Sequence, residues 1–261
     1  MTAEKQLRMG FRPTGGSVHL SRTLMLEDLT ILMGLLATEP STDLKAAVVE
    51  ENCLGKPTVS TRQITYGKLA TLYGLDDKVP LFRTFRQLWA ADQPGRPLLA
   101  FLIAVARDPV LKAVHQIITK TTINEVIAAK TVEDFLALTF GDTLQPTTRR
   151  SASRSIRSSW SQAGFLSAQK VRTRPVVTAE ALTLALWIGI VEGYQDQRLL
   201  ECPSVASLEL SLTDKENLLQ AARQRGSIEY RNAGGILEIR LPKWFTSQEK
   251  EWGFQRSPLH V

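Results

Sequence analysis

Seven cationic side chains fall between Thr147 and Pro175, in TTRRSASRSIRSSWSQAGFLSAQKVRTRP. They are Arg149, Arg150, Arg154, Arg157, Lys170, Arg172 and Arg174, and the stretch holds no Asp or Glu. Their sum exceeds the formal net charge of the whole chain, +6, so the basicity is local. A concentrated cationic surface recruits a polyanion, and phosphate is the commonest. On a helix advancing roughly 100° per residue, Arg150, Arg154, Arg157 and Ser161 share one stripe, while Ala152, Ile156, Ser159 and Ala163 gather opposite it. Trp160 is expected at the seam, its N–H placed for a partner. Ser151, Ser153, Ser155, Ser158, Ser159 and Ser161 add short donors within reach of phosphates.

The elements that position these residues follow from the pattern. A helix is expected over Thr148–Ala163, with Gly164 as its C′ residue. Beyond it, Phe165 and Leu166 open a short hairpin, in which Leu166, Ala168, Lys170, Arg172 and Arg174 share one side at period two. Upstream, a helix carrying His115 (Val110 to about Thr119) and two short helices, Ile123–Ala129 and Val132–Phe140 with Thr131 as cap, lead through Gly141–Pro146 into the basic helix. Helix, helix, turn, basic helix and basic hairpin is the order of a winged helix-turn-helix, whose second helix enters the major groove while the wing follows the phosphates. Two other readings fit the same residues: a solvated Arg/Ser face or linker, and a dock for an anionic protein surface. The recurrence of Ile156, Trp160, Phe165 and Leu166 at packing spacing argues against a linker.

The remaining chain reads as helical. Ordinary composition, 43% hydrophobic and 22% charged over 261 residues, argues against global disorder. Residues up to about Val18 read as a Gly/Pro-rich arm or loop; a basic flexible arm could touch a DNA backbone, but such a leader more often packs against its own domain. Helical spacing follows through Leu24, Leu29, Leu32, Leu35 and Leu36, then through a helix capped by Ser41 or Thr42. Ser60 is expected to cap a helix to about Leu72 with Ile64, Leu69, Leu72 and Tyr73 inward, and Lys56, Arg62 and Lys68 form a second, weaker basic patch. Phe82, Phe85, Leu88 and Trp89 define another helix. LLAFLIAVA and Ala181–Tyr194 are the most apolar helices, far short of the roughly 18 residues needed to span a bilayer. Asp214–Arg225 is helical, and Ile228–Leu241 reads as a charge-balanced hairpin turning at Asn232-Ala233-Gly234-Gly235. The tail from Trp244, with Trp252 and Phe254, is expected to dock on the body or contact a partner.

Enzymatic motifs are absent from this reading. There is no G-x-x-x-x-G-K-[ST], no G-x-G-x-x-G, no nucleophile elbow and no paired-histidine metal motif. His19, His115 and His260 stand in unrelated contexts. Arg107-Asp108 reads as a helix cap with local charge pairing, and Cys53 and Cys202 as buried thiols in a reducing compartment. The expectation is therefore a non-enzymatic protein without cofactor, metal or membrane segment. With no apolar h-region in MTAEKQLRMGFRP, it is expected in the cytoplasm.

Three ordered stretches carry a resemblance. Glu51-Asn52-Cys53-Leu54-Gly55-Lys56 with Ser60-Thr61-Arg62, then Arg107-Asp108-Pro109-Val110-Leu111, then Ser158-Ser159-Trp160 to Leu166 resemble the small A-component (BrxA-like) family of bacteriophage exclusion (BREX) defence systems, over roughly residues 10 to 200. The leader Arg12-Pro13-Thr14-Gly15-Gly16 matches the family's Ser/Thr-Gly start only loosely, and the part after about Cys202 is poorly covered. The resemblance implies a mostly helical protein with a fold similar to the NusB type, double-stranded DNA binding, no established enzymatic activity, and work beside a methyltransferase, an ATPase and other defence proteins. The fold expected is mainly α, a NusB-like helical bundle with a winged helix-turn-helix and a C-terminal β-hairpin, divided into an N-terminal helical domain (1–109), a winged helix-turn-helix segment (110–177) and a helical region with the β-hairpin (178–261). The DNA-binding set is the seven cations above. The rival is an assembly adaptor whose basic face docks an acidic protein of the defence complex.

Overall fold

The computed structural model describes residues 2–233 and 236–254. The helices run α1 (Ala3–Arg8), α2 (Leu26–Thr38), α3 (Leu44–Val49), α4 (Val59–Tyr73), α5 (Pro80–Ala91), α6 (Arg96–Arg107) and α7 (Pro109–Lys120). After them come α8 (Ala129–Phe140), α9 (Pro146–Gln162), α10 (Ala179–Glu192), α11 (Asp196–Leu199), α12 (Pro203–Ala206) and α13 (Leu212–Gln224). A hairpin of β1 (Glu229–Ala233) and β2 (Ile236–Arg240) follows, then α14 (Ser247–Glu249).

The two most apolar helices are the centre. From Ala179 to Val191, α10 is buried on every face, and α6 is buried from Leu98 through Arg107 except at Val105. A helix apolar all round has to be enclosed, and α5 packs against both, with α4 and α7 on α6 and α12 and α13 on α10. Phe11 stacks on Trp187 of α10, which stacks in turn on Phe245, and Phe245 on Phe254, at 6.3, 5.6 and 6.0 Å between centroids. This aromatic column seats both ends of the described chain on α10. Buried apolar side chains from Met9 to Phe254 form one contiguous cluster, so segments 1–109, 110–177 and 178–261 share a core.

The C-terminal hairpin pairs Glu229 with Arg240 and Arg231 with Glu238, placing opposite charges across the strands, while Tyr230 pairs with Ile239 and both are buried. The Tyr230 hydroxyl donates to Glu216 of α13 at 2.6 Å. This is the expected charge-balanced hairpin packed on a helix; Gly234-Gly235 of its turn lie outside the described residues.

Several local expectations are corrected. Of the two readings of the leader, packing on its own body holds, with a helix added: α1 forms, Met9, Phe11 and Val18 are buried, and the Arg107 guanidinium donates to the Gly10 carbonyl. Asp43, and neither Ser41 nor Thr42, caps α3 by accepting from the Lys45 and Ala46 N–H groups, and Thr58 rather than Ser60 caps α4. Ile64 is half exposed; Thr65 takes the inward place beside Leu69, Leu72 and Tyr73. Ile123–Ala129 is extended for most of its length, because Val126 pairs antiparallel with Val171 of the basic hairpin. With that segment held outside a helix by the bridge at Val126, α8 begins at Ala129 and Thr131 lies inside its first turn. Cys53 is partly exposed, Cys202 buried, and both are free thiols. Among the described residues no helix is long and apolar enough to cross a membrane.

Candidate nucleic-acid interface

Helix α9 divides as its spacing dictates. Ala152, Ile156, Ser159 and Trp160 are buried beneath it, and Arg150 and Arg154 stand exposed on its outer side, with Arg149 and Arg157 half-buried at the margins. Ser153 Oγ donates to the Ala129 carbonyl at 2.9 Å, which ties α9 to the start of α8. Arg157 Nε donates to the Ile127 carbonyl at 3.0 Å, fixing that side chain along the extended segment before α8. Ser153, Ser155 and Ser159 are therefore removed from phosphate contact by burial; Ser151, Ser158 and Ser161 stay partly accessible. Trp160 is wholly buried and its indole N–H finds no acceptor, so it does not border the surface.

The exit from α9 is a Schellman turn. Gly164 adopts φ +87°, its N–H donates to the Ser161 carbonyl at 3.2 Å, and the Phe165 N–H reaches back to the Trp160 carbonyl at 2.8 Å. A residue with a Cβ here would meet the Pro175 Cα at 3.2 Å as well as the positive φ. The chain then makes a tight hairpin. The Lys170 N–H donates to the Ser167 carbonyl at 3.0 Å, the Ser167 N–H to the Val171 carbonyl at 2.9 Å, and Lys170 itself sits at φ +64°. That is a three-residue hairpin loop whose left-handed position favours glycine. The lysine holding it donates from Nζ to Ser161 Oγ at 2.8 Å, and burial together with the Arg157 charge draws its pKa down.

Arg172 is the principal correction. It is fully buried, forms an ion pair with Glu209, donates from Nε to the Ile118 carbonyl at 3.2 Å and from its guanidinium to the Thr173 carbonyl, and lies 5.4 Å over the Phe165 ring. Burial lowers its pKa, against the pull of Glu209 and with the push of Arg174. The reason is register. Leu166 and Arg172 are cross-strand partners, and such partners share a face, so the apolar Leu166 takes Arg172 inward with it. Alternation already puts Leu166 and Arg172 on one side; what it leaves open is that this side faces the core. Arg174, past the bridge, is exposed.

The outer surface thus carries Arg149, Arg150, Arg154 and Arg174, flanked by Arg157 and Lys170. Among the described residues none of these six is in an ion pair with a carboxylate. The second basic patch is different in kind: Lys56 pairs with Asp28 at 2.8 Å and Arg62 donates to the Val49 carbonyl at 2.9 Å.

Behind α9 lies a polar cluster that spacing did not reveal. Asp108 caps α7 by accepting from the Val110 and Leu111 N–H groups, and also accepts from Ser17 Oγ at 2.7 Å and the Val18 N–H at 2.8 Å. Its Oδ2 is 2.9 Å from His19 Nδ1, whose Nε2 is 3.1 Å from Ser159 Oγ. Burial works to raise the Asp108 pKa, but the hydrogen bond and charge of His19 and the bonds from Leu111 and Ser17 overcome it and hold it at about 2. The cap was legible in Arg107-Asp108-Pro109; His19, 89 residues before it, and Ser159, 140 residues after His19, left no local signal. Among the described residues no cluster of His, Cys, Asp and Glu is arranged to hold a metal ion.

Set against protein-family models, curated proteins and solved structures, the chain matches none.

Proposed function

We propose that the protein binds double-stranded DNA through α9 and the hairpin that follows it. In this reading α7, the extended segment at Val126, α8, α9 and the hairpin make a winged helix on a NusB-like helical body. Arg150 and Arg154 stand at the rim of the groove, and they, with Arg149, Arg157, Lys170 and Arg174, contact phosphates. The observation that carries the reading is an outward cationic face whose charges meet no carboxylate among the described residues. Cations left without internal partners at a helix surface are available to an external polyanion. Membership in a bacteriophage-exclusion defence apparatus, with other defence proteins as partners, rests on the resemblance in the sequence.

The test is a fluorescence-anisotropy titration of random duplex against the full chain at several salt concentrations. With six cations on phosphates, log K falls with log salt at a slope near about −5. Arg150→Ala with Arg154→Ala weakens binding and lowers the slope by about 2 while the melting curve stays in place. Unchanged duplex affinity in that double variant ends the proposal, and capture of an acidic protein with no duplex binding establishes the adaptor reading instead.

A further inference from the structure

Away from the basic face, α6, α7, α10 and α12 surround a cavity of about 340 Å³. Its walls are chiefly apolar, with Leu102, Val105, Ile188, Pro203 and Ala206 among them. The size falls within the range of roughly 300–1,000 Å³ that small-molecule sites occupy. At the edge, Lys112 and Glu192 neutralise each other at 2.7 Å. Ser204 and Ser207 also line the space, but their hydroxyls already donate to the Ala185 and Ser204 carbonyls at 2.8 and 2.7 Å.

His115 of α7 is the exception among the lining residues. The residue is only 9% exposed, and among the described residues neither ring nitrogen has a hydrogen-bond partner. The ring is wedged against Phe101 and Phe165, at 5.1 and 5.5 Å between centroids. An apolar side chain of similar outline would fill that place without the cost of two buried, unmatched polar atoms. Burial and then the Arg172 charge hold its pKa down at about 4, so near neutral pH the imidazole offers one donor and one acceptor. As the ring stands, both nitrogens are closed off and His115 lines the cavity with carbon; a half-turn about χ2, a soft torsion, exchanges ring nitrogens and carbons without changing the outline and turns a nitrogen to the wall.

We propose that this cavity is a binding site for a small, uncharged, largely apolar molecule carrying one hydroxyl or ring N–H, which His115 recognises by a hydrogen bond. The apolar walls exclude strongly hydrated ligands, the self-paired rim gives no charge to select for, and the unused imidazole supplies the one directional contact. The proposal does not rest on DNA binding.

The probes are 4-ethylphenol and ethylbenzene, equal in shape but for the hydroxyl, titrated into the full chain and followed by saturation-transfer NMR. The phenol binds saturably and at least about tenfold more tightly than the hydrocarbon. His115→Phe erases that difference by weakening the phenol alone. Ala206→Phe, at an exposed position on the cavity wall, blocks both probes and serves as the control should His115→Phe not fold. Absence of saturable binding by either probe, equal affinity for both, or phenol binding indifferent to Ala206→Phe overturns the proposal.

Discussion

The Nε2 of His19 lies 3.1 Å from Oγ of Ser159, joining the leader to the helix that carries the basic face. With Asp108 on the other ring nitrogen, the order Asp, His, Ser copies that of a hydrolytic triad. Yet all three side chains are buried, and Ser159 Oγ also donates to the Ser155 carbonyl at 2.9 Å and accepts the Leu24 N–H at 3.1 Å. No face of the hydroxyl is left for a substrate. The constellation is a clamp that holds the leader, the start of α7 and α9 in one arrangement. Ser159→Ala strands the Leu24 N–H and an imidazole nitrogen, and should cost about 1–3 kcal/mol in urea unfolding. Hydrolysis of a chromogenic ester should proceed at the buffer rate for wild type and variant alike.

Arg172 and Arg154 should separate stability from binding. Arg172→Ala removes the partner of Glu209 and a donor to the Ile118 and Thr173 carbonyls; breaking a buried pair on one side costs about 3–5 kcal/mol. Arg154→Ala, on the open face, should shift stability by no more than about 0.5 kcal/mol. Thermal melts of the two single variants, read beside duplex affinity, check both halves.

Lys170 occupies a left-handed position without being glycine. Backbone held this way persists where the surrounding structure over-determines it, here the hairpin bonds of Ser167 and the bond from Lys170 Nζ to Ser161. Lys170→Gly relieves the strain and gives up the bond to Ser161, so stability should stay within about 1 kcal/mol of wild type. Duplex affinity should fall and the salt slope flatten by about 1. A glycine variant that binds duplex as wild type does removes Lys170 from the interface.

His115 gives stability a defined dependence on pH. Its folded pKa, about 4, lies below its ordinary value of 6.5, so the unfolded chain takes up the proton first as pH falls. The contribution is complete above pH 6.5 and is lost between there and about 4, a total of roughly 3 kcal/mol. His115→Phe should remove that portion of the slope when urea midpoints at pH 7.5, 5.5 and 4.5 are compared with wild type. A variant with an unaltered slope would assign the acid sensitivity to other groups.

Periodicity sufficed where a residue's environment depends on its own helix. The buried faces of α5, α6, α9 and α10, and Gly164 as the end of α9, could all be placed from spacing. It failed where a distant partner decides. Ile123, Val126 and Ile127 suit a helix or a strand equally, and Val171 settles the matter. Arg172 looked like its neighbours until the side it shares with Leu166 turned inward and Glu209 neutralised it. His19 and Asp108 carried no local sign of each other, and Asp43 and Thr58 took caps that nearby Ser and Thr residues matched as well by type. Within the basic set, the stripe of Arg150 and Arg154 on α9 could be placed from the pattern because it is local. The hairpin cations could not, because pairing assigns their sides.

The strand of the hairpin holding Arg172 is flanked on both sides, by Leu166 through one bridge and by Val126 through the other. A polymer arriving there meets backbone already committed to its final shape, and no segment of the hairpin must order itself on contact. Association should then register as a single bimolecular phase in stopped flow, with a heat-capacity change set by the contact area alone.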